Sequence, residues 1–486
     1  VNRELKRVSV VVLMMFVALF VASSAIQVGY ADALGNDPRN TRAINDSYNV
    51  QRGSIIVDGK AIAESRPSDD RYKYQRVYTN GELYSSVTGY LSSVTGAATG
   101  IESAMNQELS GTSASDFFTR LKNTFTGKHP QGNSVELTID PVAQRAAFEA
   151  LGNLQGSVVV EEVKTGRILA MVSKPDYDPN QLAVHDYSAY LKAYQQLESQ
   201  DGSPLVNKAI TDLNPPGSTF KPVVTSAALS SGKYTKDSTF PNPSSYQLPG
   251  TSTVIHNDTG AACSGGSKGK VSIEMAQIWS CNIPFAELGL KVGSDAIKKQ
   301  AEAYGWGHQF EIPMTVSTSQ YPGYDDPAEV AQSAFGQQSD RATALQICMD
   351  SAAIANGGVV MEPNLVESVI TPDLQKQQQF SPTEYGRATS ESVAKTVTQM
   401  MVRGVNEGTG TNARINGVSV AGKTGTAQNG EGDPYTLWFT GFAPADNPDI
   451  AISVVVEDGG GLGQSGTGNS VAAPIARTVL EAVLNE

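Results

Sequence analysis

Pro215-Pro216-Gly217-Ser218-Thr219-Phe220-Lys221-Pro222 is the stretch on which the reading of this chain turns. Ser218 and Lys221 stand three apart, a spacing that brings two side chains onto one helical face. A serine hydroxyl is a poor nucleophile at its ordinary pKa and needs a base within reach. A lysine can be that base when burial or a neighbouring cation pulls its own pKa down. Ser218 stands where the helix would begin, so free N–H groups and the helix dipole favour negative charge developing there. Alone the pattern is weak, because a capping serine followed by a solvated lysine is an ordinary helix start.

Two partners strengthen it. Ser280-Cys281-Asn282 follows about sixty residues on, and Lys423-Thr424-Gly425-Thr426 about 140 residues after that. Each is common by itself. In this order and at these separations the three resemble the motifs of the penicillin-recognising serine enzymes. The chemistry explains the set. Ser280 can relay protons near a leaving amine, and Asn282 can hold a substrate amide and help orient Lys221. Lys423 adds positive charge that favours a neutral Lys221 and attracts a substrate carboxylate. Thr424 can hydrogen-bond that carboxylate, and Gly425 leaves room for a substrate along the strand edge. The resemblance further implies an oxyanion hole made by the backbone N–H groups of Ser218 and Thr426.

The rest of the chain must supply a compartment and a scaffold. It has 486 residues, enough for two or three domains, and its hydrophobic fraction of 40% can bury a large core. A net charge of −13 lacks the basic face that nucleic-acid binding needs. His129, His185, His256 and His308 form no local metal motif, and Cys263, Cys281 and Cys348 lack zinc-ligand spacing, so no metal site is expected. Arg3, Lys6 and Arg7 precede an uncharged run from Val8 to Tyr30, long enough to cross a bilayer with the N-terminus inside. Ala31-Asp32-Ala33 also fits the small-x-small pattern of a cleaved signal peptide. Either reading exports the remainder.

Residues 31–132 read as a β-rich accessory domain, with Ser54-Ile55-Ile56-Val57 before an Asp58-Gly59 turn, a Ser/Thr/Gly-rich stretch from Ser85 to Ser115, and a linker over 126–132. From 133 to 486 the pattern sharpens. Val135–Ile139 reads as a strand, then Asp140-Pro141 opens a helix with Val142, Ala146 and Ala150 along one stripe. Ser157–Val163 and Arg167–Ser173 read as a hairpin. The region from about 218 to 360 is mostly helical in pattern. Strands return at Val418–Thr426, Leu437–Ala443 and Ile450–Glu457, before a last helix from Ser470 to Leu484. Strands at both ends with helices between predict an α+β domain whose central antiparallel sheet is closed by early and late strands and flanked by helices.

Over nearly its whole length the chain resembles class B penicillin-binding proteins. Arg52-Gly53-Ser54-Ile55 looks like their pedestal opening, and Val135–Asp140 with Gln144 like the entry to their transpeptidase domain. The segment 165–171, Phe335-Gly336-Gln337, Ala355-Asn356-Gly357-Gly358 and the segment 438–444 match further landmarks. The short pedestal and the Ser-Cys-Asn variant are most similar to an actinobacterial branch. The resemblance implies a membrane-anchored D,D-transpeptidase that cross-links peptidoglycan stem peptides and is acylated by β-lactams at Ser218, with no cofactor. No glycosyltransferase domain precedes the pedestal, so the expected partner is a membrane glycosyltransferase of the shape, elongation, division and sporulation class. In an exported chain a Cys263–Cys281 bond could brace the loop holding Ser280 and Asn282, the alternative being two free buried thiols.

Three patterns are decoys. The segment 417–424 matches a phosphate-binding loop letter for letter, but its spacer alternates as a strand and nothing after it starts a helix. The segment 461–466 fits a dinucleotide fingerprint with no second strand to follow, and reads as a flexible glycine loop at the rim of the cleft. The segment 265–269 imitates a hydrolase elbow without an apolar strand leading in. A β-lactamase or D,D-carboxypeptidase would use the same three motifs. A non-catalytic β-lactam sensor would need an output domain that the short N-terminal tail does not offer.

Overall fold

Every residue of β16 (Thr436–Ala443) and β17 (Ile450–Val456) is buried, so the sheet they belong to must be covered on both faces. The computed structural model, which describes residues 2–30, 50–113 and 131–485, shows how. β5 (Gly156–Glu162) and β6 (Ile168–Lys174) form the early hairpin, and β15 (Ala421–Ala427) precedes β16. The five run antiparallel in the order β15-β16-β17-β5-β6, so early and late strands close one sheet. Strand side chains point alternately to opposite faces. Val158, Val160, Leu437, Phe439, Ile452 and Val454 therefore pack on one side, under the helices Pro141–Leu151 and Ala472–Leu484. Val159, Trp438, Phe442, Ala451 and Val455 pack on the other, against the helix Ala344–Ala355 and the helical lobe beyond it.

Asp140 caps the helix Pro141–Leu151 by accepting from Ala143 N at 2.7 Å. The stripe expected on this helix is shifted by one residue. Ala143, Ala147 and Leu151 are the buried line, and Val142 is exposed, because the cap sets the helical phase and places Pro141 first. Gln144 is buried as well, donating to Leu83 O at 2.9 Å and Met171 O at 3.0 Å and accepting from Met171 N at 2.8 Å. It thereby ties the 81–88 helix to β6.

A second sheet spans the boundary expected at 132/133. Its order is β13-β12-β4-β1-β2-β3, with β1 (Ile55–Val57), β2 (Lys60–Pro67) and β3 (Tyr74–Tyr78) from the N-terminal region. β4 (Ser134–Leu137) pairs parallel to β1 and antiparallel to β12 (Val366–Ile370), which in turn pairs with β13 (Lys376–Gln379). The pedestal is joined to the catalytic region by ladder hydrogen bonds, and its described part carries helices as well as strands. At its centre Glu102 is fully buried between Arg52 and Arg76, each contributing an Nε at 2.6 Å, with Tyr78 donating at 3.1 Å.

The middle region is less uniformly helical than its pattern predicts. β7 (Thr239–Pro241) and β10 (Lys270–Ser272) form one small ladder, β8 (Ser245–Gln247) and β9 (Val254–His256) another, and β11 (Val359–Met361) pairs with β14 (Glu384–Arg387). At the N-terminus the segment Arg3–Gln27 is helical and unburied, and beyond Arg7 it carries no charge. At 1.5 Å per residue its 25 residues exceed the roughly 30 Å of a hydrocarbon core, which fits a single-pass membrane anchor. The small-x-small site at 31–33 and residues 126–130 of the expected linker lie outside the described residues.

Candidate active site

Three pieces of chain meet at the open edge of β15. The first is the 3₁₀ turn Gly217–Phe220, which runs into the helix Lys221–Ser230. Gly217 takes a positive φ of 53°, and its N–H donates to Gly336 O at 2.9 Å. A Cβ on Gly336 would lie 1.9 Å from Gly217 O, so the Phe335-Gly336-Gln337 landmark is a rest for the turn that carries Ser218. Trp438 Nε1 donates to Pro215 O at 3.0 Å from the sheet side. Ser218 is buried in the cleft, and its Oγ has no hydrogen-bond partner among the described residues.

Ser280 comes from the loop between the helices Ile273–Ile278 and Asn282–Val292, and Asn282 opens the second of them. Ser280 has a φ of 56°, a left-handed conformation that a non-glycine residue holds only under constraint. Part of that constraint is beside it, in the disulfide between Cys281 and Cys263. Cys348 is buried and free.

Lys221 is fully buried and donates to Ser280 O at 2.7 Å, Asn282 Oδ1 at 2.8 Å and Ser280 Oγ at 3.4 Å. Lys423 donates to the same Ser280 Oγ at 2.6 Å and to Thr424 O at 2.8 Å. One hydroxyl thus lies between two buried amines. Burial pushes Lys221 down to about 7, against the opposing pull of Asp258. Lys423 also falls well below its ordinary value, through burial and then the like charge of Lys221. Repulsion between two amines is mutual, so a proton on either one opposes a proton on the other. Such a pair can give and take a proton through Ser280 without building up net charge.

Thr424 Oγ1 lies 2.9 Å from Thr409 Oγ1, and Thr426 Oγ1 accepts from Gly468 N at 3.3 Å. Gly425 has a second reason to be glycine. Its Cβ would meet Trp438 Cβ at 3.0 Å, Thr219 Cγ2 at 3.1 Å and Pro216 O at 3.2 Å, so the turn carrying Ser218 packs onto it. The backbone of Ser218 and that of Thr426 lie on these adjoining pieces of chain.

Two residues near the site escape sequence reading. Thr409 is held by Ile278 O, and its only signal is a position between two glycines. Asp258 accepts from Asn282 Nδ2 at 3.0 Å, a contact that no local pattern announces. The 461–466 segment is less free than a flexible loop, since Gly463 O accepts from Tyr435 N at 3.2 Å and Gln464 Nε2 donates to Asp433 O at 2.9 Å. A cavity of about 510 Å³ lies elsewhere, between the 81–104 region and Asn207, and no nucleophile–base pair lines it. Among the described residues no group of His, Cys, Asp and Glu could hold a metal ion.

An antiparallel sheet closed by early and late strands, with a serine–lysine turn against its edge strand, defines the class of the penicillin-recognising serine enzymes. Comparison with known proteins narrows it. Residues 156–481 match the penicillin binding protein transpeptidase domain, and residues 52–135 match the penicillin binding protein A dimerisation domain. The chain is 41% identical to the peptidoglycan D,D-transpeptidase PbpA of Mycolicibacterium smegmatis, over 100% of this chain and 99% of that one. It superposes with a TM-score of 0.86 and 38% identity on the ceftriaxone acyl-enzyme complex of penicillin-binding protein A from M. tuberculosis, covering 90% of this chain and 100% of that one. The penicillin G acyl-enzyme complex of the same protein gives 0.84 at 38% identity, covering 89% and 99%. This chain belongs to the penicillin-binding protein transpeptidase family.

Proposed function

We propose that this chain is a penicillin-sensitive peptidoglycan D,D-transpeptidase. In this reading Ser218 is the nucleophile, Lys221 its base, Ser280 the proton relay, and Asn282 and Lys423 the groups that set the state of that base. The observation that carries the proposal is the convergence of Lys221 and Lys423 on the single hydroxyl of Ser280, at 3.4 and 2.6 Å, with Ser218 buried one turn before Lys221. The terminal carboxylate of a D-Ala-D-Ala donor peptide rests on Thr424 and Lys423, and its backbone runs along β15 past Gly425. Ser218 Oγ attacks the penultimate carbonyl carbon and gives its proton to Lys221. The N–H groups of Ser218 and Thr426 hold the oxyanion, each such donor lowering a barrier of this type by about 3–4 kcal/mol. Ser280 passes the proton to the departing D-Ala amine, leaving an ester on Ser218. An amine from a second stem peptide then resolves the ester. A β-lactam follows the first half and stays bound.

In the same reading residues 1–30 anchor the chain with its N-terminus inside, 31–132 form a non-catalytic pedestal, and 133–486 form the extracytoplasmic catalytic domain. The basic flank of Arg3, Lys6 and Arg7 supports that orientation. Glycan strands come from a separate membrane glycosyltransferase of the shape, elongation, division and sporulation class. The proposal is tested by fluorescent penicillin labelling of the full chain in detergent. Wild type labels covalently and Ser218→Ala does not. Equal labelling of the variant overturns the nucleophile, and steady turnover of penicillin by wild type overturns transpeptidation in favour of a β-lactamase.

A further inference from the structure

The cleft poses an electrostatic problem for its second substrate. An aliphatic acceptor amine is an ammonium ion at neutral pH. The site holds two buried amines, Lys221 and Lys423, and a proton on either suits an incoming carboxylate and repels an incoming cation. One carboxylate offsets this. Among the described residues Asp258 is the acidic group whose field reaches Lys221 and Lys423.

Its position is built. Asp258 follows β9, and the loop around it is fastened to the Ser280–Asn282 segment at several points. Asn257 is buried and accepts from Ile283 N at 3.1 Å, His256 O accepts from Asn282 Nδ2 at 3.2 Å, and Cys263 is bonded to Cys281. Asn242 holds the far end of the loop by two hydrogen bonds to the backbone of Cys263, at 2.7 and 2.9 Å. The Asp258 side chain is exposed to solvent. Its Oδ1 accepts from Asn282 Nδ2 at 3.0 Å, while the Oδ1 of that same amide accepts from Lys221 at 2.8 Å. Asp258 Oδ2 has no hydrogen-bond partner among the described residues. A solvent-facing carboxylate with a free oxygen therefore sits one amide away from the general base.

We infer that Asp258 is the acceptor subsite, binding the ammonium group of the second stem peptide beside the Ser218 ester. The inference rests on the proposed transpeptidase reading. Docked there, the ammonium loses one proton to neutral Lys221 or to solvent. The resulting amine attacks the ester carbon, the C–N bond forms and the C–Oγ bond breaks, and the second amine proton goes to Ser218 Oγ. Water needs no cation site, so the carboxylate raises aminolysis relative to hydrolysis.

Asp258→Asn keeps an acceptor for the Asn282 hydrogen bond and removes the charge. The full chain in detergent is supplied with a thioester analogue of the donor peptide and one of two acceptors, a primary aliphatic amine that is cationic at pH 7 or hydroxylamine, which is neutral there. The aminolysis-to-hydrolysis ratio with the cationic amine should fall about fivefold in the variant, the size of an exposed charge pair. The ratio with hydroxylamine should stay within twofold of wild type. Asp258→Glu should restore most of the cationic ratio. An unchanged ratio with the cationic amine overturns the inference, and so does an equal fall with both acceptors, which marks a structural role. Failure of Ser218→Ala to abolish labelling would instead overturn the reading beneath it.

Discussion

Glu161 gives a quantitative test of the core. It lies in β5 with its side chain fully buried, and among the described residues no cation pairs with it and its Oε2 has no hydrogen-bond partner. Burial alone pushes its pKa from 4.5 up to about 8. The folded state therefore holds a proton on Glu161 over a range where the unfolded chain has released it. With the folded pKa raised, the stability is fully present below the unfolded value and is lost as pH climbs towards the folded one. Each pH unit crossed in that window costs about 1.4 kcal/mol. Between pH 4.5 and 7 this amounts to about 3 kcal/mol, an upper bound because local relaxation lets in some solvent. Glu161→Gln keeps the shape and removes the titration. Thermal unfolding of wild type and variant, followed from pH 4.5 to 8, should show the variant gaining on wild type by about 4 °C between pH 4.5 and 7. The gain should level off above the folded pKa. A difference in melting temperature that stays flat across this range would refute the claim that an unpartnered neutral acid sits inside the sheet.

Glu102→Ala leaves Arg52 and Arg76 buried without their shared carboxylate, and should cost about 3–5 kcal/mol, seen as early proteolysis or melting of the pedestal. Acylation of Ser218 by a β-lactam should slow as pH falls through about 7, because Lys221 must be neutral to act as base, and stopped-flow acylation at varied pH reads this directly. Gly425→Ala should slow acylation while β15 stays paired, since the added methyl group meets Thr219 and the Pro216 carbonyl at 3.1–3.2 Å, and the same acylation assay checks it.

The central sheet was legible because its signals are local. β-rich runs at 156–174 and 436–456, and an Asp-Pro helix start at 140, each predict their own element, and covering both faces of such apolar strands closes them together. The stripe at Val142 was misjudged because alanines on both sides of the helix look alike, and the cap rather than hydropathy fixes its phase. The six-stranded sheet was not legible. β1 and β4 are three and four residues long, and β4 finds one partner 80 residues back at Ile55↔Val135 and the other far ahead at Val135↔Val369, so nothing in either segment specifies the pairing. Among the proposed site residues, Ser218, Lys221, Ser280, Asn282 and Lys423 announce themselves by motif. Asp258 and Thr409 act through contacts that exist only after folding.

The same contrast explains why the cleft depends on distant structure. A lysine amine stays near neutrality only while it is dry, and Lys221 is kept dry by the helix it starts, by the Ser280 loop over it and by β15 beside it. Each is anchored elsewhere. The turn rests on Gly336, the loop is fastened to Cys263 and Asn257, and β15 is backed by Trp438 of β16. Loosening any one would admit water to Lys221, raise its pKa towards the ordinary lysine range and remove the base before any catalytic atom had moved. Substitutions at Gly336, Cys263 or Trp438 should therefore act first on the pH profile of acylation, which is how damage to the support of the site differs from damage to the serine itself.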